Sequence, residues 1–233
     1  MKPHLIMHLS LNLDLLCKLA QLFSATDSIV ICSNDEEFSI QGRHNNVDIV
    51  CKLRKFNFYI FQPSEFCATV NTAAFIKALD TQGTNVALIG RHNQLNIMIP
   101  RQGQMICSKL NAEQRDIATY HTHIADAERP LVHIANFTMM SSELIAGWGD
   151  KTTIQYDNVG IKFSSSSKLG EHTVLYDVSS TLQSALTTEV SNANLRICAE
   201  GSVLNPANEI SISNSGVLIL YPFYNGTLSY RTL

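Results

Sequence analysis

The sequence lacks long apolar runs, an excess of positive charge, and the glycine or proline content of a fibrous protein. No run of 18 apolar residues occurs in its 233 residues, so no segment is predicted to span a membrane. Its 17 basic and 20 acidic residues give a net charge of −3, so no overall basic field attracts nucleic acid or anionic lipid. With 45% hydrophobic residues, 11 glycines and 6 prolines, the composition indicates a globular protein. Residues 1–16 make a poor signal peptide, so we expect a soluble, intracellular protein.

The sequence contains no Cys-x-x-Cys pair. Its six cysteines each stand alone within apolar stretches: Cys17, Cys32, Cys51, Cys67, Cys107 and Cys198. Without a secretory signal, such residues are typical of small buried hydrophobic side chains. The sequence therefore predicts free thiols.

Catalytic motifs are also absent. The sequence has no phosphate-binding glycine loop ending in lysine, no Gly-x-Ser-x-Gly turn and no His-Glu-x-x-His pair. His121 and His123 could hold a metal, but no cysteine or carboxylate pair accompanies them at the usual spacing, which favours a solvated pair. The consecutive acids at 35–37 are typical of a solvated turn. We therefore expect no enzyme activity, no metal and no cofactor.

Short β-branched or aromatic runs make up most of the first half. They are separated by turns of two to four residues, which predicts antiparallel hairpins. The predicted strands are Ser28–Ser33, Glu37–Gly42, Val47–Leu53, Phe56–Gln62, Val86–Gly90, Gln94–Pro100 and Gln104–Leu110. Apolar residues at helical spacing predict two helices, at 12–26 and 71–82. The predicted order is β-α-β-β-β-β-α-β-β-β.

The second half repeats this order at an offset of about 123 residues, and an internal duplication explains the repeat. Residues 152–166 match 28–42 as strand, polar turn and strand, and 208–223 match 85–100. Helices are predicted at 141–149 and 192–201. The duplication predicts an N-terminal domain of residues 1–113, a polar linker of 114–130, and a C-terminal domain of 131–233.

Three stretches resemble the sliding clamps of DNA replication. They are the strand and amphipathic helix within 58–79, the Val-Gly-Ile-Lys-Phe-Ser run at 159–164 with the Ser-Lys-Leu-Gly that follows it, and the closing Gly226–Tyr230. The element order is similar along nearly the whole chain, although the sequence is far from the cellular eukaryotic form, which favours a divergent or viral clamp. The resemblance implies an α+β fold of two similar domains, each with antiparallel sheets and two helices on one face.

The resemblance also implies a function: a ring, expected to be a homotrimer, that encircles double-stranded DNA and tethers a DNA polymerase and other replication proteins. Such a protein would act in the nucleus or, if viral, at the replication site of its host. Lys18, Lys77 and Arg196 are predicted on the exposed stripes of the helices that would face DNA, with Lys109 as a supplement. Because Asp14, Asp80, Glu143 and Glu200 lie on the same helices, we expect weak, sequence-independent DNA binding.

Two further surfaces follow from the resemblance. The candidate subunit edges are 104–110 and 172–178, whose apolar residues include Met105, Cys107, Val174, Leu175 and Tyr176. A partner groove beneath the linker would be formed by Val47, Ile117, Tyr120, Ile124, Pro222 and Tyr230.

Two alternatives remain open at this point. One is a checkpoint-type or non-encircling clamp relative that serves as a protein-docking platform. The other is an unrelated two-domain structural β protein with helices on a sandwich.

Overall fold

The computed structural model describes residues 7–62, 65–91, 93–116, 136–140 (backbone), 148–157, 159–177, 185–213, 216–224 and 226–232. Internal contacts divide them into two compact units. Unit 1 comprises 7–44, 49–116 and three residues within 224–227, and unit 2 comprises 45–48 and the rest of the described chain from 136 onward. No helix among the described residues is long and apolar enough to cross a membrane.

Unit 1 contains two sheets and two helices. Its elements are β1 (Met7–Asn12), α1 (Leu13–Gln21), β2 (Ser28–Ser33), β3 (Glu37–His44), β4 (Val47–Arg54), a 3-10 turn (Lys55–Asn57), β5 (Phe58–Gln62), β6 (Phe66–Asn71), α2 (Thr72–Leu79), β7 (Asn85–Arg91), β8 (Gln94–Arg101), β9 (Gln104–Asn111) and β10 (Glu113–Gln114). One sheet has the strand order β5-β1-β7-β8-β9, and the other has β10-β6-β2-β3-β4.

Unit 2 has the same kinds of element. They are β11 (Asn136–Met140), β12 (Lys151–Tyr156), β13 (Ile161–Ser167), β14 (Gly170–Tyr176), β15 (Leu186–Ser191), α3 (Asn192–Ala199), a 3-10 turn (Glu200–Val203), β16 (Ala207–Ser213), β17 (Gly216–Phe223) and β18 (Gly226–Thr232). Its strand orders are β14-β13-β12-β15 and β18-β17-β16-β11.

The predicted internal duplication is confirmed by the topology. The order β1-β7-β8-β9 in unit 1 corresponds to β11-β16-β17-β18 in unit 2, and β6-β2-β3-β4 corresponds to β15-β12-β13-β14. The strand that precedes the second helix is β6 in one unit and β15 in the other, so α2 corresponds to α3. The order of elements therefore repeats together with the order of strands in each sheet.

The helices of unit 1 begin where the sequence predicts and end earlier. Asn12 caps α1 by accepting a hydrogen bond from the Leu15 N–H at 3.0 Å, and Asn71 caps α2 in the same way through Ala74 at 2.9 Å. After Gln21 the backbone tightens, because the Leu22 and Phe23 N–H groups bond to carbonyls three residues back. This lets Phe23 turn fully into the core, so α1 ends at Gln21 rather than Thr26.

Two other features differ from the predicted order. Five strands, not four, separate α1 from α2; the additional strand is β6. Phe66, Ala68 and Val70 are buried on one face of the sheet and Cys67 on the other, so the alternation of buried and exposed positions is broken at the start of the strand. Of the helix predicted at 141–149, only residues 148 and 149 are described, and they are not helical.

The prediction of free thiols is wrong for one pair. Cys32 and Cys67 form a disulfide between β2 and β6, where the register places them directly opposite each other with 4.2 Å between the Cα atoms. Antiparallel pairing brings residues 35 positions apart into contact, and single-residue spacing does not reveal this. The other four cysteines are free: Cys17, Cys51, Cys107 and Cys198.

Alkylation tests the cysteine assignment. Protein denatured without reductant should take up four iodoacetamide groups and, after reduction, six. In the folded but unassembled chain Cys107 should react first, because it is exposed there, whereas burial shields Cys51 and Cys198 and raises the pKa of both thiols. Intact-protein mass spectrometry measures both results. Six modifications without reductant would show that the pair is not bonded.

Candidate DNA and partner interface

Three helices each present one cation to solvent. Lys18 on α1, Lys77 on α2 and Arg196 on α3 are all exposed, as the helical spacing predicts. The opposite faces of these helices are buried through residues such as Leu16, Phe75 and Leu195. The amphipathic pattern therefore orients the three cations outward, while their role toward DNA stays a prediction.

The start of the second helix in each unit is held by the same backbone contact. In unit 1 the Thr72 N–H donates to the Asp27 carbonyl at 3.2 Å, and the Thr26 and Thr72 hydroxyls are 3.0 Å apart. In unit 2 the Asn192 N–H donates to the Asp150 carbonyl at 2.8 Å. Each of the two backbone hydrogen bonds, from Thr72 and from Asn192, satisfies one of the N–H donors that a helix leaves free at its N-terminus.

Asn192 makes a denser network than Thr72. Its side-chain oxygen accepts a hydrogen bond from the Thr152 hydroxyl, and its amide nitrogen donates to the carbonyls of Trp148 and Gly149 at 3.1 and 3.0 Å. Gly149 has a φ of +72°, and a Cβ there would lie 2.2 Å from the Ser166 carbonyl oxygen, so glycine is required. The network fixes α3, and with it Arg196, against the loop before β12.

Carboxylates on the same helices offset the three cations. Asp14 on α1, Asp80 at the end of α2 and Glu200 after α3 are exposed. Burial raises the pKa of the Cys17 thiol, and the negative charges of Asp14 and Asp80 raise it further. Cys17 itself donates to the Leu79 carbonyl across the contact between α1 and α2. A balanced surface of this kind gives only weak phosphate affinity.

Both strands predicted as subunit edges lie at the edge of a sheet. β9 ends the five-stranded sheet of unit 1, and β14 ends the four-stranded sheet of unit 2. β9 pairs with β8 over eight residue pairs without a break, and β14 pairs with β13 over seven. Neither strand contains proline.

Side chains on these two edge strands are alternately exposed and half-buried. Met105 and Leu175 are 55% and 58% exposed, and Cys107 and Lys109 are exposed. Val174 and Tyr176 are half-buried; Tyr176 packs edge-on against Phe163 with 5.8 Å between the ring centroids. The outward apolar side chains leave a surface on both edges that a second chain could cover.

Of the predicted groove residues that the structure describes, only Pro222 is exposed. Val47 and Tyr230 are fully buried, and the Tyr230 ring packs edge-on against Tyr221. Pro222 is exposed, and its carbonyl accepts a hydrogen bond from the Asn205 side chain at 2.8 Å. Ile117, Tyr120 and Ile124 lie outside the described residues. Val47 and Tyr230 therefore contribute core packing in this structure rather than an accessible wall.

The outer face of the four-stranded sheet in unit 2 forms a polar depression of about 460 Å³. It is lined by hydroxyl groups and by charges of both signs, among them Lys162 and Glu171. Lys151 is paired with Glu189, whose hydrogen bond raises the Lys151 pKa. Because it mixes charges of both signs, the depression is typical of a solvated sheet face. Nowhere in the described residues do three metal-ligating side chains cluster.

Comparison with known proteins identifies the fold. No protein-family model and no curated protein matches the sequence. The structure is similar to the proliferating cell nuclear antigen of Entamoeba histolytica, with a TM-score of 0.75, 13% sequence identity and coverage of 97% of each chain. The chain therefore has the sliding-clamp fold, an α+β fold, as the sequence resemblance implied.

Asn192→Ala tests the network that holds α3. The substitution removes three side-chain hydrogen bonds and leaves the buried Thr152 hydroxyl without its acceptor, so we expect a loss of about 2 kcal/mol in the free energy of unfolding. Urea denaturation followed by circular dichroism measures it. Arg196→Ala, exposed on the same helix, should change the value by less than about 0.5 kcal/mol. Equal effects of the two variants would contradict this role of Asn192.

Proposed function

We propose that this protein is a DNA polymerase processivity factor, a homotrimeric ring that encircles double-stranded DNA and tethers polymerase and other replication proteins. The observation that carries the proposal is the pair of open edges, β9 and β14, on a chain with the clamp fold. The trimer and the encircled duplex are what the resemblance to sliding clamps implies.

The two edges of the unit 1 sheet support a ring because they differ. β5, at one edge, has five residues, and its register with β1 shifts at Ser10/Leu11, which are devices that discourage pairing. β9, at the other edge, has eight residues in an unbroken register. The unblocked edge is therefore the one suited to pair with another chain.

Pairing β9 of one copy with β14 of the next is a head-to-tail contact. Contacts between two different patches generate a closed ring when the rotation allows it, and each copy then has both edges satisfied. Lys109 on β9 and Glu171 on β14 carry opposite charges, which suits pairing between the two strands.

The balanced charge of the helices is consistent with a topological tether. The described helices and the residues directly after them carry three exposed cations and three exposed carboxylates. This net charge is too small to hold DNA by phosphate contacts at physiological salt. A closed ring needs no strong grip, because escape requires the ring to open. The same balance also favours a second candidate, a clamp relative that does not encircle DNA and serves as a docking platform; such a chain would be a monomer or would need different partner subunits.

The cellular site and the partner surface belong to the proposal as well. A processivity factor acts in the nucleus or, for a viral protein, at the replication site in its host. Ile117, Tyr120 and Ile124 of the linker, with Pro222, remain the residues proposed to receive a short polymerase motif.

Proline substitution tests the assembly. Cys107→Pro and Leu175→Pro each remove a backbone donor and add a ring on an edge strand, so both should convert a trimer to a monomer. Light scattering measures the mass, and circular dichroism checks the fold. Cys107→Ser and Leu175→Ser keep the backbone donor and serve as matched controls that should assemble more readily than the proline variants. A wild-type chain that is monomeric at all concentrations, or proline variants that fold and remain trimeric, would refute this interface.

Charge reversal tests the DNA contact. Lys18→Glu, Lys77→Glu and Arg196→Glu together change the charge by six per chain, so they should abolish polymerase stimulation on a long primed template while leaving the trimer and its thermal unfolding unchanged. Reversal of three exposed cations off the helices, Arg101, Lys162 and Lys168, is the matched control and should preserve stimulation. Equal stimulation by both triple variants would show that the helices do not face DNA.

A further inference from the structure

A short segment between β4 and β5 exposes aromatic rings beside cations. Segment 54–59 consists of the end of β4, the 3-10 turn and the start of β5. Within it Phe56 and Tyr59 are 69% and 66% exposed, and Arg54 and Lys55 are exposed as well. Rings of this size are normally placed in a core or an interface. Their exposure beside two cations therefore indicates a binding surface.

The backbone of this segment is anchored on both sides of the exposed rings. Leu53 is buried before it, and the Asn57 side chain donates to the Arg54 carbonyl at 3.2 Å. Phe58 packs against Phe38 and Phe61 with ring centroids 5.8 and 5.1 Å apart. Phe56 and Tyr59 are thus presented from a packed base rather than from a free loop.

The charge around the segment is positive. Lys52 is compensated by Glu37 at 3.6 Å, but among the described residues no carboxylate lies within ion-pair distance of Arg54 or Lys55. The Lys55 ammonium lies 5.6 Å from the centre of the Phe56 ring. The residues of β1 opposite β5 carry no acid; they are His8, Leu9, Ser10 and Leu11. An anionic ligand therefore has uncompensated cations to bind here.

The geometry of β5 argues against an extended peptide that would add a strand. The strand has only five residues, Tyr59 falls at the register shift with no partner on β1, and Pro63 follows in the sequence. These features block continued pairing along the edge. The pair of rings and the pair of cations remain accessible. Together they suit a polyanion that carries planar aromatic groups.

We propose that segment 54–59 binds single-stranded nucleic acid, with bases stacking on Phe56 and Tyr59 and phosphates meeting Arg54 and Lys55. Stacking on aromatic rings with cations along the backbone is the general mode of single-strand binding without sequence preference. Duplex DNA does not fit, since its bases are already stacked on each other. The site uses residues other than the helix cations and goes beyond the clamp function, because it needs no ring.

Fluorescence anisotropy with labelled oligothymidylate of about 16 nucleotides tests the site on the full chain. Wild type should bind at low salt, and Phe56→Ala with Tyr59→Ala should weaken binding about tenfold or more. Arg54→Gln with Lys55→Gln should reduce the slope of log affinity against log salt by about 1.4. Tyr224→Ala, at an exposed ring elsewhere, and Lys168→Gln are matched controls that should leave the affinity unchanged. All variants should keep the thermal unfolding of the wild type, because the changed side chains are exposed.

Three results would overturn the proposal. The first is that the ring variants bind oligothymidylate as the wild type does. The second is that Lys18→Glu, Lys77→Glu and Arg196→Glu together abolish binding, which would place the oligonucleotide against the helices. The third is that polyglutamate binds in a Phe56-dependent manner while oligothymidylate does not, which would indicate an acidic protein segment as the ligand. Oligomer mass and polymerase stimulation are measured separately, so failure here is distinguishable from failure of the clamp function.

Discussion

Satisfaction of backbone hydrogen bonds at sheet edges is the constraint on which this structure depends. Most of the described chain is antiparallel sheet, and every open edge presents unpaired N–H and C=O groups. Of the two edges of the five-stranded sheet, β5 is short and interrupted, whereas β9 is long and regular. A chain whose β5 edge is interrupted and whose β9 edge is regular is suited to pair with another chain through β9 rather than β5. The proposed ring follows from this asymmetry more directly than from any single side chain.

Local pattern predicted most of the fold. Strand alternation and short turns predicted the hairpins, Asn12 and Asn71 marked the helix starts, and the repeat predicted that the two units share one order of elements. The exposure of Lys18, Lys77 and Arg196 followed from helical spacing alone. These features depend on residues close together in sequence, so a single sequence contains enough information to predict them.

Features that depend on contacts between distant residues were not predictable in this way. The Cys32–Cys67 disulfide requires the register of β2 on β6, and the buried Cys67 on the otherwise polar face of β6 interrupts the alternation that would mark this strand. Val47 and Tyr230 were proposed for a groove, yet tertiary packing buries both. The network of Asn192 arises only when the loop at 148–150 meets the start of α3, and segment 54–59 is notable only because its rings stay outside the core. In each case the deciding quantity is burial, which the whole fold determines.

The distribution of charge bears on how a chain with the clamp fold would bind nucleic acid. A protein that held DNA by affinity would need cations in excess on the surface facing DNA, but carboxylates match the cations on the described helices. Weak contact permits sliding, because each phosphate can be released at little cost in free energy. The uncompensated cations of the described chain include Arg54 and Lys55, which lie outside those helices in the sequence and beside exposed rings. The two proposals therefore divide the work: ring closure would retain duplex DNA, while stacking and charge on segment 54–59 would hold single-stranded nucleic acid.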